Sequence, residues 1–97
     1  MSDVTITGLG AGRFGVRVVE GTLTTDHEVT VPGSLIDDLG LAGADQGEIV
    51  RQTFLFLLER EPATSILRSF SLDQVQGYFG DYYGVLQDRL GTAGERQ

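Results

Sequence analysis

The first third of the chain alternates apolar and polar residues with a period of two. The alternation occupies three segments, 4–7, 14–19 and 27–31, and the last of them ends at Pro32 and Gly33. Glycine-rich stretches at 8–12 and at Gly21 separate the three segments. Beta-branched residues at period two, interrupted by glycine, predict a meander of about three antiparallel strands.

After Pro32 the apolar positions follow a helical period. Each predicted helix begins at a residue whose side chain can accept a hydrogen bond from the first turn. The central helix stops before Pro62, because the residue that precedes a proline avoids helical geometry. The predicted helical segments run from Ser34 to Gly40, from Asp45 (paired with Glu48) to Arg60, around 65–69, from Ser71 (paired with Gln74) to Phe79, and from Asp81 to Leu90.

The central helix carries five consecutive apolar residues, 54–58, with the sequence FLFLL. At about 100° per residue these side chains point in all directions around the helix axis, so we expect the helix to be covered on two sides. One face, which includes Val50, Phe54 and Leu57, is assigned to the core, and Phe56 lies on a second face. Leu55 falls in the most polar sector of the helix.

These patterns predict an α+β fold, in which a small antiparallel sheet of about three strands is followed by about four helices. With 97 residues, we expect a single α+β domain over 1–90 and a flexible polar tail over 91–97. The chain contains no cysteine, which excludes disulfides, zinc–thiolate sites and thiol nucleophiles.

The chain is acidic, with a formal charge of −7, and all seven of its basic residues are arginines. Net negative charge disfavours non-specific attraction to nucleic acids and to anionic membranes. The N-terminus is not basic, and no apolar run of signal-peptide or membrane length is present. We therefore expect a cytoplasmic protein without a membrane association.

Two motifs suggest chemistry, but their contexts do not support it. Residues 10–15 match the pattern G-x-G-x-x-G, yet a strand-like segment follows instead of the helix that would hold a pyrophosphate. Residues 26–28 read Asp-His-Glu, but on a strand the side chain of His27 points away from both carboxylates, so the three cannot bind one metal ion. We predict no catalytic residue, no cofactor and no metal.

The order of elements from Asp26 to Glu61 resembles the ribbon-helix-helix family, in which a short strand pairs across a dimer and enters the major groove of DNA. The resemblance implies that Asp26, Glu28 and Thr30 would face the DNA. Two carboxylates on that face would repel phosphates, and this segment offers only Arg51 and Arg60 as cations. A transcription regulator or antitoxin of this type is therefore the alternative function.

The densest aromatic cluster contains Tyr78, Phe79, Tyr82 and Tyr83. Aromatic residues with polar tips can anchor either the edge of a small core or a protein interface. The candidate interface residues are Leu55, Tyr78, Tyr82 and Tyr83.

The segments 56–62 and 65–70, followed by Tyr78 and Phe79, resemble a group of small uncharacterised proteins from actinobacteria. That resemblance implies no activity, although the composition, rich in glycine, alanine, valine and arginine, is typical of a GC-rich genome. The preferred reading is a small non-enzymatic accessory or binding protein that contacts a protein partner or a second copy of itself as a homodimer. A small enzyme subunit whose site a partner completes is a third option.

Overall fold

The sheet is built on the predicted meander and contains one further strand. We describe residues 2–41 and 43–91 of a computed structural model. Strands β1 (Ser2–Gly10), β2 (Arg13–Glu20) and β3 (Leu23–Thr30) pair in chain order and antiparallel. Strand β4 (Ser69–Ser71) lies beside β3 and runs parallel to it, so the sheet is mixed and has the order β1-β2-β3-β4.

The glycine-rich stretch forms the tight turn of the first hairpin. Gly10 pairs with Arg13, so only Ala11 and Gly12 lie in the loop, and both have positive φ, 54° and 75°. Positive φ at both central residues is the geometry of the type I′ hairpin turn. A Cβ on Gly12 would also lie 3.2 Å from the carbonyl oxygen of Val31. The motif at 10–15 is therefore a hairpin turn and does not lead into a helix.

The described residues contain four α-helices, in agreement with the expected number, but the C-terminal helices are shorter than predicted. The four helices are α1 (Gly33–Leu39), α2 (Gln46–Leu58), α3 (Asp73–Tyr78) and α4 (Tyr82–Leu86). A 3₁₀ turn, Ala63–Ser65, follows α2, and a π-helical turn, Gln87–Gly91, continues from α4. The α+β class is confirmed. The predicted helical turn at 65–69 is wrong, because its last residue already belongs to β4.

The predicted caps have different outcomes. Asp45 caps α2, and its Oδ2 accepts a hydrogen bond from the backbone N–H of Glu48 at 3.0 Å. Ser34 does not cap α1, because the helix begins at Gly33 and the cap position is occupied by Pro32. Asp81 provides no side-chain cap for α4; its carboxylate instead binds Arg60 at 2.7 Å.

The Ser71–Gln74 pair forms half of the predicted box. The side chain of Gln74 accepts a hydrogen bond from the backbone N–H of Ser71 at 2.8 Å. Ser71 itself belongs to β4, however, and α3 begins at Asp73 with Leu72 in the cap position.

Helix α2 is covered on two sides, as its sequence predicts. On the sheet side, the ring of Phe54 lies 5.4 Å from that of His27 and 6.0 Å from that of Phe70. On the other side, Phe56 packs against the rings of Phe79 at 5.8 Å and Tyr82 at 5.3 Å. The core therefore consists of a sheet face, α2 and the short C-terminal helices in succession.

The opposite face of the sheet carries polar side chains, and its charges are paired across strands. Arg17 on β2 donates a hydrogen bond to Asp26 on β3 at 2.8 Å, and this contact lowers the pKa of the Asp26 carboxyl. Arg13 lies 3.4 Å from Glu28 in the same way. His27, between the two acids in sequence, is buried on the core side, which confirms that the three side chains do not converge.

The predicted tail at 91–97 falls, apart from the backbone of Gly91, outside the described residues.

Candidate functional site

An apolar groove opens between the end of α2, the segment that leads into β4, and α3. Its volume is about 190 Å³. Most of the side chains that line it are apolar, and three are polar or charged. The lining residues are Leu57, Glu61, Ser65, Ile66, Leu67, Phe70, Gln74, Val75, Tyr78 and Phe79.

The groove has a buried floor and an exposed apolar rim. Leu57, Ile66, Phe70 and Val75 are buried and belong to the core. On the rim, the side chain of Leu67 is 49% exposed and that of Tyr78 is 70% exposed. Isolated exposed leucines are common, but two large apolar side chains that flank a concave apolar surface mark a candidate interaction site.

The chain between α2 and β4 forms one wall of the groove. Pro62 ends the helical region, and the 3₁₀ turn that follows is closed by a hydrogen bond from the Ser65 N–H to the Pro62 carbonyl at 2.9 Å. The backbone of Ile66 is then extended, with φ −78° and ψ 135°. Ile66 is buried whereas Leu67 is exposed, as expected where neighbouring side chains of an extended segment point to opposite sides.

Strand β3 holds this wall in place through two consecutive carbonyl groups. The Nδ1 of His27 donates a hydrogen bond to the carbonyl oxygen of Leu67 at 2.8 Å, since a carbonyl can only accept. In the neutral ring, Nε2 then accepts the hydroxyl proton of Thr25 at 2.9 Å. The backbone N–H of Glu28 binds the carbonyl oxygen of Arg68 at 2.7 Å. Leu67 is therefore exposed on an anchored segment.

Helix α3 forms the other wall, and Gln76 connects it to α4. The side chain of Gln76 donates to the carbonyl oxygen of Gly80 at 2.7 Å and accepts from the backbone N–H of Tyr83 at 2.9 Å. Phe79 packs edge-on against Phe56, with the ring planes at 83°. Tyr78, the last residue of α3, is left on the rim beside these fixed contacts.

Glu61 is the one charged residue in the lining of the groove. It is partly buried, and within residues 2–41 and 43–91 its carboxylate forms no ion pair or hydrogen bond. Its neighbours differ, since Glu59 lies 3.5 Å from Arg60 and 3.1 Å from Arg89. The groove therefore combines an apolar floor with an uncompensated negative charge.

The size of the groove limits what it can hold. Cofactor and drug-sized ligand sites measure about 300–1,000 Å³. A dry apolar cavity of about 150 Å³ is large enough for benzene. A groove of about 190 Å³ therefore matches one large apolar side chain better than a nucleotide or another large cofactor.

The four predicted interface residues do not form one site. Tyr78 lies on the rim of the groove, whereas Tyr82 is 0% exposed and belongs to the core, which corrects its assignment as a contact residue. The Tyr82 hydroxyl lies 2.7 Å from Thr53 Oγ1, and burial raises the pKa of Tyr82 well above its ordinary value. Tyr83 is partly buried, and its pKa is also raised, first by burial and then by Asp73 and Asp38.

Leu55 is 37% exposed on α2, as its polar sector predicts, and it does not line the groove. The polar residues around it on the helix are engaged with one another. Gln52 donates to Glu48 at 2.7 Å, and Arg51 lies 3.9 Å from Glu48 and donates to the carbonyl oxygen of Val4 at 3.0 Å.

Sequence reasoning missed the groove residues Glu61, Ile66, Leu67 and Phe70. The segment 65–69 was read as a helical turn, which obscured the concave surface that an extended chain creates there. The polar–apolar–polar order Ser69-Phe70-Ser71, with an aromatic residue in the buried position, is compatible with a strand, but three residues are too few to specify one.

A second concave surface lies between the first hairpin and the N-terminus of α2 and is lined by Ile6, Gly8, Phe14, Asp45, Gln46, Gly47, Glu48 and Arg51. A helix N-terminus attracts anions, but here Asp45 already accepts from the first turn and Glu48 adds a second carboxylate. This surface therefore does not suit a phosphate group.

Within residues 2–41 and 43–91, no group of three or more histidine, aspartate or glutamate side chains is placed to hold a metal ion. No helix there is long and apolar enough to cross a membrane.

Comparison of the chain with protein-family models, curated proteins and solved structures gave no significant match.

Proposed function

We propose that this is a small, cytoplasmic, non-enzymatic accessory protein that acts by binding another protein through the apolar groove. The observation that supports the proposal is the placement of exposed Leu67 and Tyr78 on either side of a buried apolar floor. Leu67 is held by the His27 side chain, so a partner would meet a pre-formed surface and would lose little conformational freedom in ordering it.

The arrangement of charges supports protein binding over DNA binding. Of the six arginines in the described residues, five form ion pairs with neighbouring acids, and only Arg68 does not. Affinity for DNA depends on cations that are free to neutralise phosphates. The ribbon-helix-helix alternative also needs a strand with a free edge, whereas Glu28–Thr30 of β3 is paired with β2 on one side and β4 on the other.

The proposal is tested by capturing partners from extracts of the native host. Tagged wild-type protein, Leu67→Ser and Tyr78→Ser are used as baits, and bound proteins are quantified by mass spectrometry. Leu23→Ser is the matched control, because Leu23 is 54% exposed and does not line the groove. Circular dichroism and urea melts establish that all four proteins fold.

We expect one or more partners that bind the wild type and the Leu23→Ser control but are depleted with both groove variants. A set of partners that is unchanged by the groove variants, or lost equally with the control, would refute the groove as the binding surface.

A homodimer that forms through Leu55 remains a separate proposal. Leu55 is an exposed leucine within a charged sector, and its substitution by glutamate would break an apolar contact between subunits without disturbing the core. Sedimentation equilibrium at micromolar concentration compares the wild type with Leu55→Glu. A dimer that becomes a monomer in the variant supports the contact, and identical behaviour of the two proteins rejects it.

A further inference from the structure

The groove combines apolar area with the charge of one carboxylate, Glu61. Glu59, Asp81, Asp26 and Glu28 all lie within 3.5 Å of an arginine. Glu61 lines the groove without such a partner in the described residues. A cation that a ligand brings to the groove would therefore meet a carboxylate that no arginine of the described residues already neutralises.

Arg68, the one arginine without an ion pair in the described part of the chain, does not line the groove. Arg68 follows the rim residue Leu67, but it is absent from the lining, and its charge instead lowers the pKa of Asp26 on the outer face of the sheet. Since no arginine of residues 2–41 and 43–91 complements Glu61, we assign that positive charge to the ligand.

Building on the proposed function, we propose that the groove binds a segment of a different protein that inserts one large apolar side chain and places an adjacent lysine or arginine on Glu61. Three observations support this occupant: the volume of about 190 Å³, the exposed rim of Leu67 and Tyr78, and the unpaired carboxylate. A second copy of the chain is the less suitable occupant, because five of the six arginines in its described residues already form ion pairs with acids of their own chain.

The occupant is identified with a phage-displayed library of random 12-residue peptides, selected on the immobilised full-length protein. We expect the enriched sequences to share a leucine, isoleucine, methionine, phenylalanine or tryptophan next to a lysine or arginine. The most enriched peptide is synthesised with a fluorescent label, and its Kd is measured by anisotropy at two salt concentrations.

The variants separate the contribution of the apolar contacts to binding from that of the ion pair. For Leu67→Ser or Tyr78→Ser we expect a roughly ten-fold or larger increase in Kd, as for a residue at the centre of a contact. For Glu61→Gln we expect a roughly two- to five-fold increase and a weaker dependence on salt, as for a partly exposed ion pair. Leu23→Ser should bind like the wild type.

Several results would overturn the inference. The first is that no peptide is enriched over uncoated beads. The second is that the enriched peptides lack cations and bind Glu61→Gln as well as the wild type. The third is that the peptides bind the groove variants and the wild type equally. Self-association of the wild type that Leu67→Ser abolishes would assign the groove to a second copy. If groove-dependent partners are captured from host extracts but no cationic peptide binds, the proposed function stands and the stated chemistry of the partner is wrong.

Discussion

The buried hydrogen bond between Tyr82 and Thr53 allows a prediction in which the two single substitutions have unequal costs. The Thr53 hydroxyl donates its only proton to the carbonyl oxygen of Ile49 at 2.8 Å. The Tyr82 hydroxyl, 2.7 Å from Thr53 Oγ1, must therefore be the donor in the second bond. Both side chains are 0% exposed, so neither has water as a substitute partner.

Tyr82→Phe removes the donor and leaves Thr53 still bonded to Ile49. We expect it to lower the free energy of unfolding by about 1 kcal/mol, the net value of one hydrogen bond. Thr53→Val removes the acceptor and leaves the Tyr82 hydroxyl buried without a partner, which costs about 1–3 kcal/mol. Thr53→Val should therefore be the more destabilising of the two changes.

The double variant gives the sharper test. When both groups are apolar, no unsatisfied hydroxyl remains, so Tyr82→Phe added to Thr53→Val should restore part of the lost stability. Urea unfolding followed by circular dichroism measures all four proteins. Tyr83→Phe is the control for the loss of a phenolic hydroxyl on a partly buried ring, and we expect a change within about 0.5 kcal/mol.

The reasoning is refuted if Thr53→Val costs no more than Tyr82→Phe, or if the costs of the two changes simply add in the double variant. Additivity would mean that the two side chains do not interact in the native state.

Three further predictions concern the cap of α2, the turn of the first hairpin and the ionisation of Tyr82. Asp45→Ala should destabilise the protein by roughly 0.5–2 kcal/mol in urea melts, because it removes the cap of α2; an unchanged midpoint would mean that the cap contributes nothing. Gly12→Ala should lower the free energy of unfolding by about 1–2 kcal/mol, because φ is +75° and the new Cβ would crowd the carbonyl of Val31. In the control Gly33→Ala the new Cβ meets no atom within 4 Å, so that change should be neutral or stabilising. The contribution of Tyr82 to stability should be constant below pH 10 and be lost above it, because the unfolded chain ionises Tyr82 near its ordinary pKa of 10.0 while burial keeps the native side chain protonated. Tyr82→Phe should reduce that alkaline loss in urea melts between pH 8 and 11, and an undiminished loss would assign it to other groups.

The parts of the fold that the sequence predicts are those that local interactions determine. The first hairpin closes over two residues, and the α2 cap joins Asp45 to Glu48, three residues away. The coverage of α2 follows from its apolar positions alone, because five apolar side chains in succession cannot all face one side of a helix.

The parts that the sequence does not predict depend on residues far apart in the chain. Ser69–Ser71 becomes a strand because it pairs with Glu28–Thr30, and no pattern of three residues specifies such a distant partner. Asp81 would be a good helix cap locally, but Arg60, 21 residues earlier, binds its carboxylate. Ser34 lies two residues after Pro32, which already occupies the cap position.

The residues of the candidate site show the same difference between what local sequence determines and what long-range packing determines. Tyr78, one of the predicted interface residues, lies exposed on the rim of the groove, and its contact with a partner stays a prediction. Tyr82 is the same residue type and lies only four positions further along the chain, but its packing against Phe56 and Thr53 places it in the core. Sequence proximity alone could not separate the two tyrosines.

Because β4 pairs with a strand that lies far from it in the chain, the groove should form at a different stage of folding from the first three strands. The first three strands are joined by tight turns, but His27 and Leu67, which hold the groove wall, are 40 residues apart. A contact across so long a segment has a larger loop-closure entropy and forms later than a hairpin does. Local unfolding that breaks this junction can leave the meander intact, because β1, β2 and β3 pair with one another without it. The amides of Glu28 and Leu72, which bond to Arg68 and Thr30 across this junction, report that opening in hydrogen exchange, and a bound partner should slow their exchange.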